Sequence, residues 1–172
     1  MIGNDIVDLS LAKTESNWKR KGFLEKIFTK QEQLKIKTSI NPEITIWNFW
    51  SRKEAAYKIY NRISQVSQFI PLKLECFDNE VVNGIVYGKV ECLNEIYFTK
   101  TEINKHYIYT EAVCKVSDFD KLEVIKRPEN VQKIHGIPSF FDFRNEKIKP
   151  ISITHHGQFE RIITINSTPI WI

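Results

Sequence analysis

Asp5, Glu54, Lys58 and His155 are the residues of this chain whose types and spacing could do chemistry. Asp5 lies in Gly3-Asn4-Asp5-Ile6-Val7-Asp8-Leu9, an acid set in an apolar, β-rich run. Its carboxylate either caps a backbone group at a strand end or serves as a hard oxygen ligand for Mg²⁺. That cation takes one or two carboxylates and leaves its other positions to water and substrate phosphates. Asp8 falls on the opposite face of a regular strand, so at least one of the two acids must meet a polar partner. Glu54 and Lys58 stand one helical turn apart in Trp50-Ser51-Arg52-Lys53-Glu54-Ala55-Ala56-Tyr57-Lys58. Alone they would be an exposed ion pair worth about 0.2–0.5 kcal/mol. Beside Trp47 on an aromatic-rich helix they mark a border between core and solvent. Lys53 falls inside the apolar stripe, where its ammonium either snorkels past packed methylenes or aims at a bound phosphate. Arg52 lies on another face and is assigned to solubility or a partner surface. His155, in Ile151-Ser152-Ile153-Thr154-His155-His156-Gly157, ends an apolar strand, a place for a structural turn histidine or for a ligand contact.

The elements that must position these groups are legible in outline. Ile2 to Leu9 reads as a strand and Leu11 to about Ile27 as a helix. A second helix starts after Thr29, with Glu32 three residues on as the capping-box partner. Pro42 ends that region and Ile44 to about Ile63 reads as the main helix. At about 100° per residue, Ile46, Phe49, Trp50, Ala56, Tyr57 and Tyr60 form its apolar stripe, with Trp47, Glu54 and Lys58 together beside it. From Pro71 to Val116 short β-rich runs predict an antiparallel meander: Leu72 to Phe77, Val81 to Val90, Glu95 to Phe98 and Tyr107 to Val116. Asp118 to Asn130 reads as a connection, and Gly136-Ile137-Pro138 starts another β region. The last strands, Ile148 to Thr154 and Phe159 to Ile165, are expected to join across His155-His156-Gly157-Gln158 as a tight hairpin.

At 172 residues the chain suits one well-cored domain, and 42% hydrophobic with 12% aromatic residues excludes a disordered one. A net charge of +4 with dispersed basic residues does not call for nucleic acid and suits an anionic small molecule or an acidic protein. A nucleic-acid-binding domain has only composition behind it. Cys76, Cys92 and Cys114 match neither a paired metal site nor a disulfide framework and read as free, buried thiols in a reducing compartment. No basic and apolar leader opens the chain and no run approaches the roughly 20 apolar residues of a membrane span, so a cytoplasmic protein without membrane contact is expected. Asn166-Ser167-Thr168 then matches the glycosylation pattern by chance, and His106 and His135 read as structural or exposed. The chain has no Gly-rich phosphate loop, no Gly-x-Ser-x-Gly turn and no His/Cys cluster at zinc spacing, so covalent catalysis is not indicated.

Taken in order, the Asp5, Glu54 and His155 segments resemble the holo-acyl-carrier-protein synthase branch of the 4'-phosphopantetheinyl transferases. The resemblance implies an α+β fold, an antiparallel sheet packed on the long Lys-Glu-Ala helix, in a single domain over 1–172. Residues 1–63 and roughly 134–165 follow the family pattern, and about 71–120 is an extended or inserted β-rich segment. The implied activity is Mg²⁺-dependent transfer of 4'-phosphopantetheine from coenzyme A to a serine of an apo acyl carrier protein, releasing adenosine 3',5'-bisphosphate. The family pattern makes Asp5 and Glu54 the metal ligands and Asp5, Glu54 and Lys58 the catalytic set. Lys53, Lys58, Ser152, Thr154 and His155 would line the coenzyme site. Asp8 stands where relatives have Glu or Asp, and a carboxylate or a water on the metal would take the serine proton. This chain departs from the pattern at Asn4, in the longer β-rich block, and in lacking the Arg that often follows the first motif; Lys13 there would lack its bidentate fork. Single copies of each motif imply a homo-oligomer, a trimer with sites between subunits, unless the added sheet covers the open side. A non-catalytic coenzyme A or carrier-protein binding module of the same fold is the alternative, against which retention of Asp5, Glu54 and Lys58 argues.

Overall fold

The computed structural model describes residues 1–65, 68–134, 137–143 and 146–166; His135, Gly136 and the Ser167-Thr168 part of the glycosylation pattern lie outside them. Strand β1 (Ile2–Asp8) is buried along its whole length. The expected helix from Leu11 to Ile27 is instead two short ones, α1 (Leu9–Glu15) and α2 (Phe23–Ile27). Asp8 starts α1 early by accepting from the Ser10 and Leu11 amides, while Ser16, a poor helix former, and Gly22 at φ +82 interrupt the pattern. Helix α3 (Lys30–Thr38) has the predicted capping box: Thr29 Oγ1 accepts from the Glu32 amide at 3.3 Å and Glu32 Oε2 from the Thr29 amide at 2.9 Å. Helix α4 (Pro42–Ser64) begins where Asn41 Oδ1 accepts the Ile44 amide, with Pro42 inside the first turn.

The meander β2 (Leu74–Val82), β3 (Ile85–Cys92), β4 (Glu95–Ile103) and β5 (Tyr107–Val113) joins β1 in a five-stranded antiparallel sheet of order β1-β5-β4-β3-β2. The expected single strand Val81 to Val90 is divided at Asn83-Gly84, both at positive φ, which is the favoured two-residue hairpin turn. Helix α4 lies across this sheet. Ile46, Phe49, Ala56 and Ile59 are buried against Leu74, Val90 and Ile108, and Trp50, Tyr57 and Tyr60 pack half-buried at the margin.

A short 3₁₀ turn at Val116–Lys121 leads to a second sheet: β6 (Leu122–Val124), β7 (Val131–Ile134), β8 (Ile137–Asp142), β9 (Lys147–His156) and β10 (Phe159–Ile165), in the order β6-β10-β9-β8-β7. Strand β6 falls in the stretch read from composition as a connection, Asp118 to Asn130, and β7 lies between that stretch and the β region expected from Gly136. Strand β9 continues through His156, opposite Phe159, so both histidines belong to the strand and only Gly157 and Gln158 turn. Among the described residues no helix is long and apolar enough to cross a membrane.

Candidate active site

One edge of β1 pairs with β5, and its other edge meets β9 by side chains in place of a backbone ladder. The amides of Asn4, Ile6 and Asp8 donate to Ser152 Oγ at 3.1 Å, Thr154 Oγ1 at 3.1 Å and His156 Nδ1 at 2.8 Å. Side chains alternate along a strand, so these three face β1 while Ile153 and His155 face the other way. Helix α4 meets the same stretch of β9: Lys58 Nζ donates to Asn4 O at 2.6 Å and Ile153 O at 3.2 Å, and Arg62 donates to Ile151 O. The second sheet is thereby fastened to the first along the motif residues.

At this seam a cleft of about 290 Å³ opens, lined by Asp5, Glu54, His155 and His156 on its polar side and by Trp47 and Trp50 on its apolar side. Asp5 is 9% exposed; its Oδ1 accepts from Thr154 Oγ1 at 3.3 Å and lies 3.8 Å from Lys58 Nζ. Burial pushes its carboxyl up to about 6, opposed by the Lys58 charge, the Ser51 and Thr154 hydroxyls and His156. Burial also pushes Glu54 up to about 7, with the negative charge of Asp5 adding to the rise and Lys58 opposing it. Two carboxyls that burial disfavours as anions, one of them also facing the other's charge, make a site that gains from a cation.

Asp5 Oδ2 is buried without a hydrogen-bond partner, an orphaned acceptor in the place where a hard cation would satisfy it. Among the described residues no group of three or more His, Cys, Asp or Glu could hold a metal. The unpartnered Asp5 Oδ2 and the Glu54 carboxyl in the same cleft make a two-carboxylate set, and this fits a cation such as Mg²⁺, which takes one or two carboxylates and completes its shell with water and phosphate oxygens.

The other expected site residues divide. Lys58 lies 3.8 Å from Asp5 Oδ1 and Thr154 bonds that same oxygen, whereas Ser152 accepts the Asn4 amide on the β1 seam and does not line the cleft. His155 is exposed at the cleft rim. Lys53 is corrected: it is fully buried, its ammonium 2.6 Å from Glu32 Oε2 and donating to Ile27 O and Pro71 O at 2.8 Å each. Every proton of that ammonium faces protein, so it has no reach to a phosphate. Arg52 is corrected as well, for it serves neither solubility nor a partner surface. Fully buried under the meander, it donates to Asp78, to Thr99 Oγ1 at 3.1 Å, and to Phe77 O and Lys89 O at 2.7 and 3.1 Å. Gly88 makes room for its guanidinium, since a Cβ there would overlap it. Asp8 is the N-cap of α1; the Ser10 hydroxyl and the amides of Leu11, Gln158 and Ser10 hold its carboxyl below the usual range. Gly157, at φ +57, lets the β9–β10 turn close over Asp8, where a Cβ would strike Oδ2. Sequence reasoning missed His156 as a member of the seam. The alternation Ser152, Thr154, His156 carries that signal once β9 is known to run through residue 156.

A model of the 4'-phosphopantetheinyl transferase superfamily matches residues 1–117. The match spans the 74–113 meander, which the sequence reading set apart as an extension, and leaves the second sheet beyond it. The crystal structure of Helicobacter pylori holo-[acyl-carrier-protein] synthase in complex with coenzyme A is similar in fold, with a TM-score of 0.50 and 16% identity. The likeness covers 67% of this chain and 100% of that one. No curated protein matches the chain.

Proposed function

The chain belongs to the 4'-phosphopantetheinyl transferase superfamily, and from that premise we propose that it moves the 4'-phosphopantetheine arm of coenzyme A onto a serine of an apo acyl carrier protein. The observation that carries this reading is the Asp5–Glu54 carboxylate pair in an open cleft, with the Lys58 ammonium 3.8 Å from Asp5 Oδ1. Mg²⁺ held by Asp5 and Glu54 would neutralise pyrophosphate charge, the main electrostatic demand of phosphoryl-type transfer. In the balanced reaction the serine Oγ bonds to the phosphorus bearing the pantetheine arm. The bond from that phosphorus to the bridging oxygen breaks, and adenosine 3',5'-bisphosphate leaves. A carboxylate or a water at the cation site would take the serine proton.

Lys58 places a fixed positive charge at the junction of β1, α4 and β9, where a phosphate oxygen entering the cleft meets it, and His155 at the rim offers a second contact. Thr154 fixes the Asp5 carboxylate through Oδ1 and leaves Oδ2 unbonded. The aromatic wall of Trp47, Trp50 and Phe23 gives the arm an apolar surface and keeps water from part of the cleft. With one copy of each motif, the working form is read as a homo-oligomer, a trimer. Incubating the protein with coenzyme A and an apo carrier protein tests the activity: the carrier's mass rises by one phosphopantetheine per serine, and an unchanged mass with several carriers removes the reading.

A further inference from the structure

Asp5 on β1, Thr110 on β5 and Thr101 on β4 are successive register partners, so their side chains form one row across three strands on the face that α4 covers. Thr154 extends the row into β9 through its bond to Asp5 Oδ1. From α4, Ser51 Oγ donates to Thr110 Oγ1 at 3.0 Å and reaches Asp5 O at 3.4 Å, and Thr110 Oγ1 lies 3.0 Å from Thr101 Oγ1. We propose that Ser51, Thr110 and Thr101 are positioning residues for the cation site, a buried row of hydroxyls that holds Asp5 with Oδ2 left free for the metal. The inference rests on the reading of Asp5 and Glu54 as the metal-holding pair.

Ser51, Thr101 and Thr110 are fully buried. The next rung of the same face, Val7, Ile108 and Ile103, is wholly apolar. A core gains nothing from hydroxyls that Val and Ala would not supply, because a buried hydroxyl costs free energy until it is bonded. In this row each hydroxyl bonds the next and the series ends at Asp5. Beyond Thr101 it meets Val86, which offers no polar side chain. A hydroxyl both donates and accepts, and the Thr110–Thr101 bond admits either donor, so the row can turn its protons toward an Asp5 anion. The Ser51 hydroxyl is one of the groups that favour that anion. Thr154 and the row thus grip Asp5 from its two flanking strands, and Oδ2 is the oxygen they leave unbonded. Groups that orient a ligand from behind govern the affinity of the metal it holds. Thr99, on the same strand as Thr101, is the contrast: it serves Arg52, whose Nε donates to it at 3.1 Å.

The probe is Mn²⁺ alone, a cation that shares the oxygen-ligand preference of Mg²⁺. It is titrated into the wild type, Ser51→Ala, Thr110→Val, Thr101→Val and Thr110→Ser, read by electron paramagnetic resonance, with urea midpoints measured on each protein. Binding weakened at least about tenfold is expected in Ser51→Ala and Thr110→Val, with a smaller loss in Thr101→Val, one bond further from Asp5. Thr110→Ser keeps the hydroxyl and drops a methyl group, so its Mn²⁺ affinity should stay at the wild-type value. Thr99→Val strands a donor of Arg52 and should lower the urea midpoint without changing Mn²⁺ affinity. Wild-type affinity in both Ser51→Ala and Thr110→Val, or a loss in Thr99→Val equal to theirs, overturns the proposal. Asp5→Asn separates this inference from the reading beneath it. Mn²⁺ binding that Asp5→Asn abolishes and the hydroxyl variants retain defeats the row alone, whereas the absence of saturable Mn²⁺ binding by the wild type defeats the cation site and the row together.

Discussion

The hydroxyl of Thr154 accepts the Ile6 amide at 3.1 Å and donates to Asp5 Oδ1 at 3.3 Å. One side chain thus fastens the second sheet to β1 and orients the carboxylate on which the site depends. Asp5 cannot be described apart from β9, although 149 residues separate it from Thr154.

The carboxyl pair makes stability depend on pH. Both groups are raised, Asp5 to about 6 and Glu54 to about 7, so their contribution is full below the ordinary carboxylate range near pH 4 and is lost as pH rises through those values. Metal-free protein should lose on the order of a few kcal/mol from these groups between pH 4 and 8. Urea midpoints in chelator should fall over that window, and Asp5→Asn and Glu54→Gln should flatten the fall. Identical slopes in the variants and the wild type contradict the assignment. At pH 8, Mg²⁺ should raise the wild-type midpoint and leave that of Asp5→Asn unmoved.

The two histidines should separate. His156→Ala leaves the Asp8 amide without its acceptor and should cost about 1–3 kcal/mol in denaturant unfolding. Exposed His155→Ala should change stability by less than about 0.5 kcal/mol and weaken coenzyme A binding in a direct titration. The opposite pattern, destabilisation by His155→Ala with coenzyme affinity intact, would reverse the two roles.

Lys53→Met should behave as a folding variant. It strands Glu32, fully buried, and should cost about 3–5 kcal/mol. Adding Glu32→Gln removes the stranded charge and should recover part of that loss. In the folded fraction KM for coenzyme A should stay at the wild-type value, and a selective rise in KM would return Lys53 to the phosphate site.

The contrast between Lys53 and Glu54 marks what sequence could convey. Helical periodicity correctly set Glu54 and Lys58 side by side and put Lys53 in the apolar stripe. It could not reveal that Glu32 sits opposite Lys53, because that contact depends on how α3 packs on α4. Local chemistry gave the Thr29 capping box, the extent of α4 and the strand holding Asp5. Asn83-Gly84 is a legible hairpin signal that a β run read as Val81 to Val90 spans without a turn. The β1–β9 seam was not legible, since its bonds join side chains to amides across nearly the whole chain and leave only an alternation of Ser152, Thr154 and His156.

The working form should be a trimer. A lone cleft open on one side exposes a coenzyme to water, where phosphate contacts are weak, and a neighbouring subunit would cover it. The second sheet is the counterweight, because it already brings His155 and His156 to the cleft within one chain. Light scattering with activity on the same sample decides: a fully active species of 20.3 kDa contradicts the shared site.

Transfer from coenzyme A to an apo carrier protein, followed by carrier mass with and without Mg²⁺, tests the central claim most directly in the wild type, Asp5→Ala and Glu54→Ala. Mg²⁺-dependent modification by the wild type, with a fall of at least about 10³-fold in each folded variant, is the predicted result. Near-normal transfer by either variant, or wild-type transfer indifferent to chelation, would contradict the assignment of Asp5 and Glu54 as the metal-holding pair.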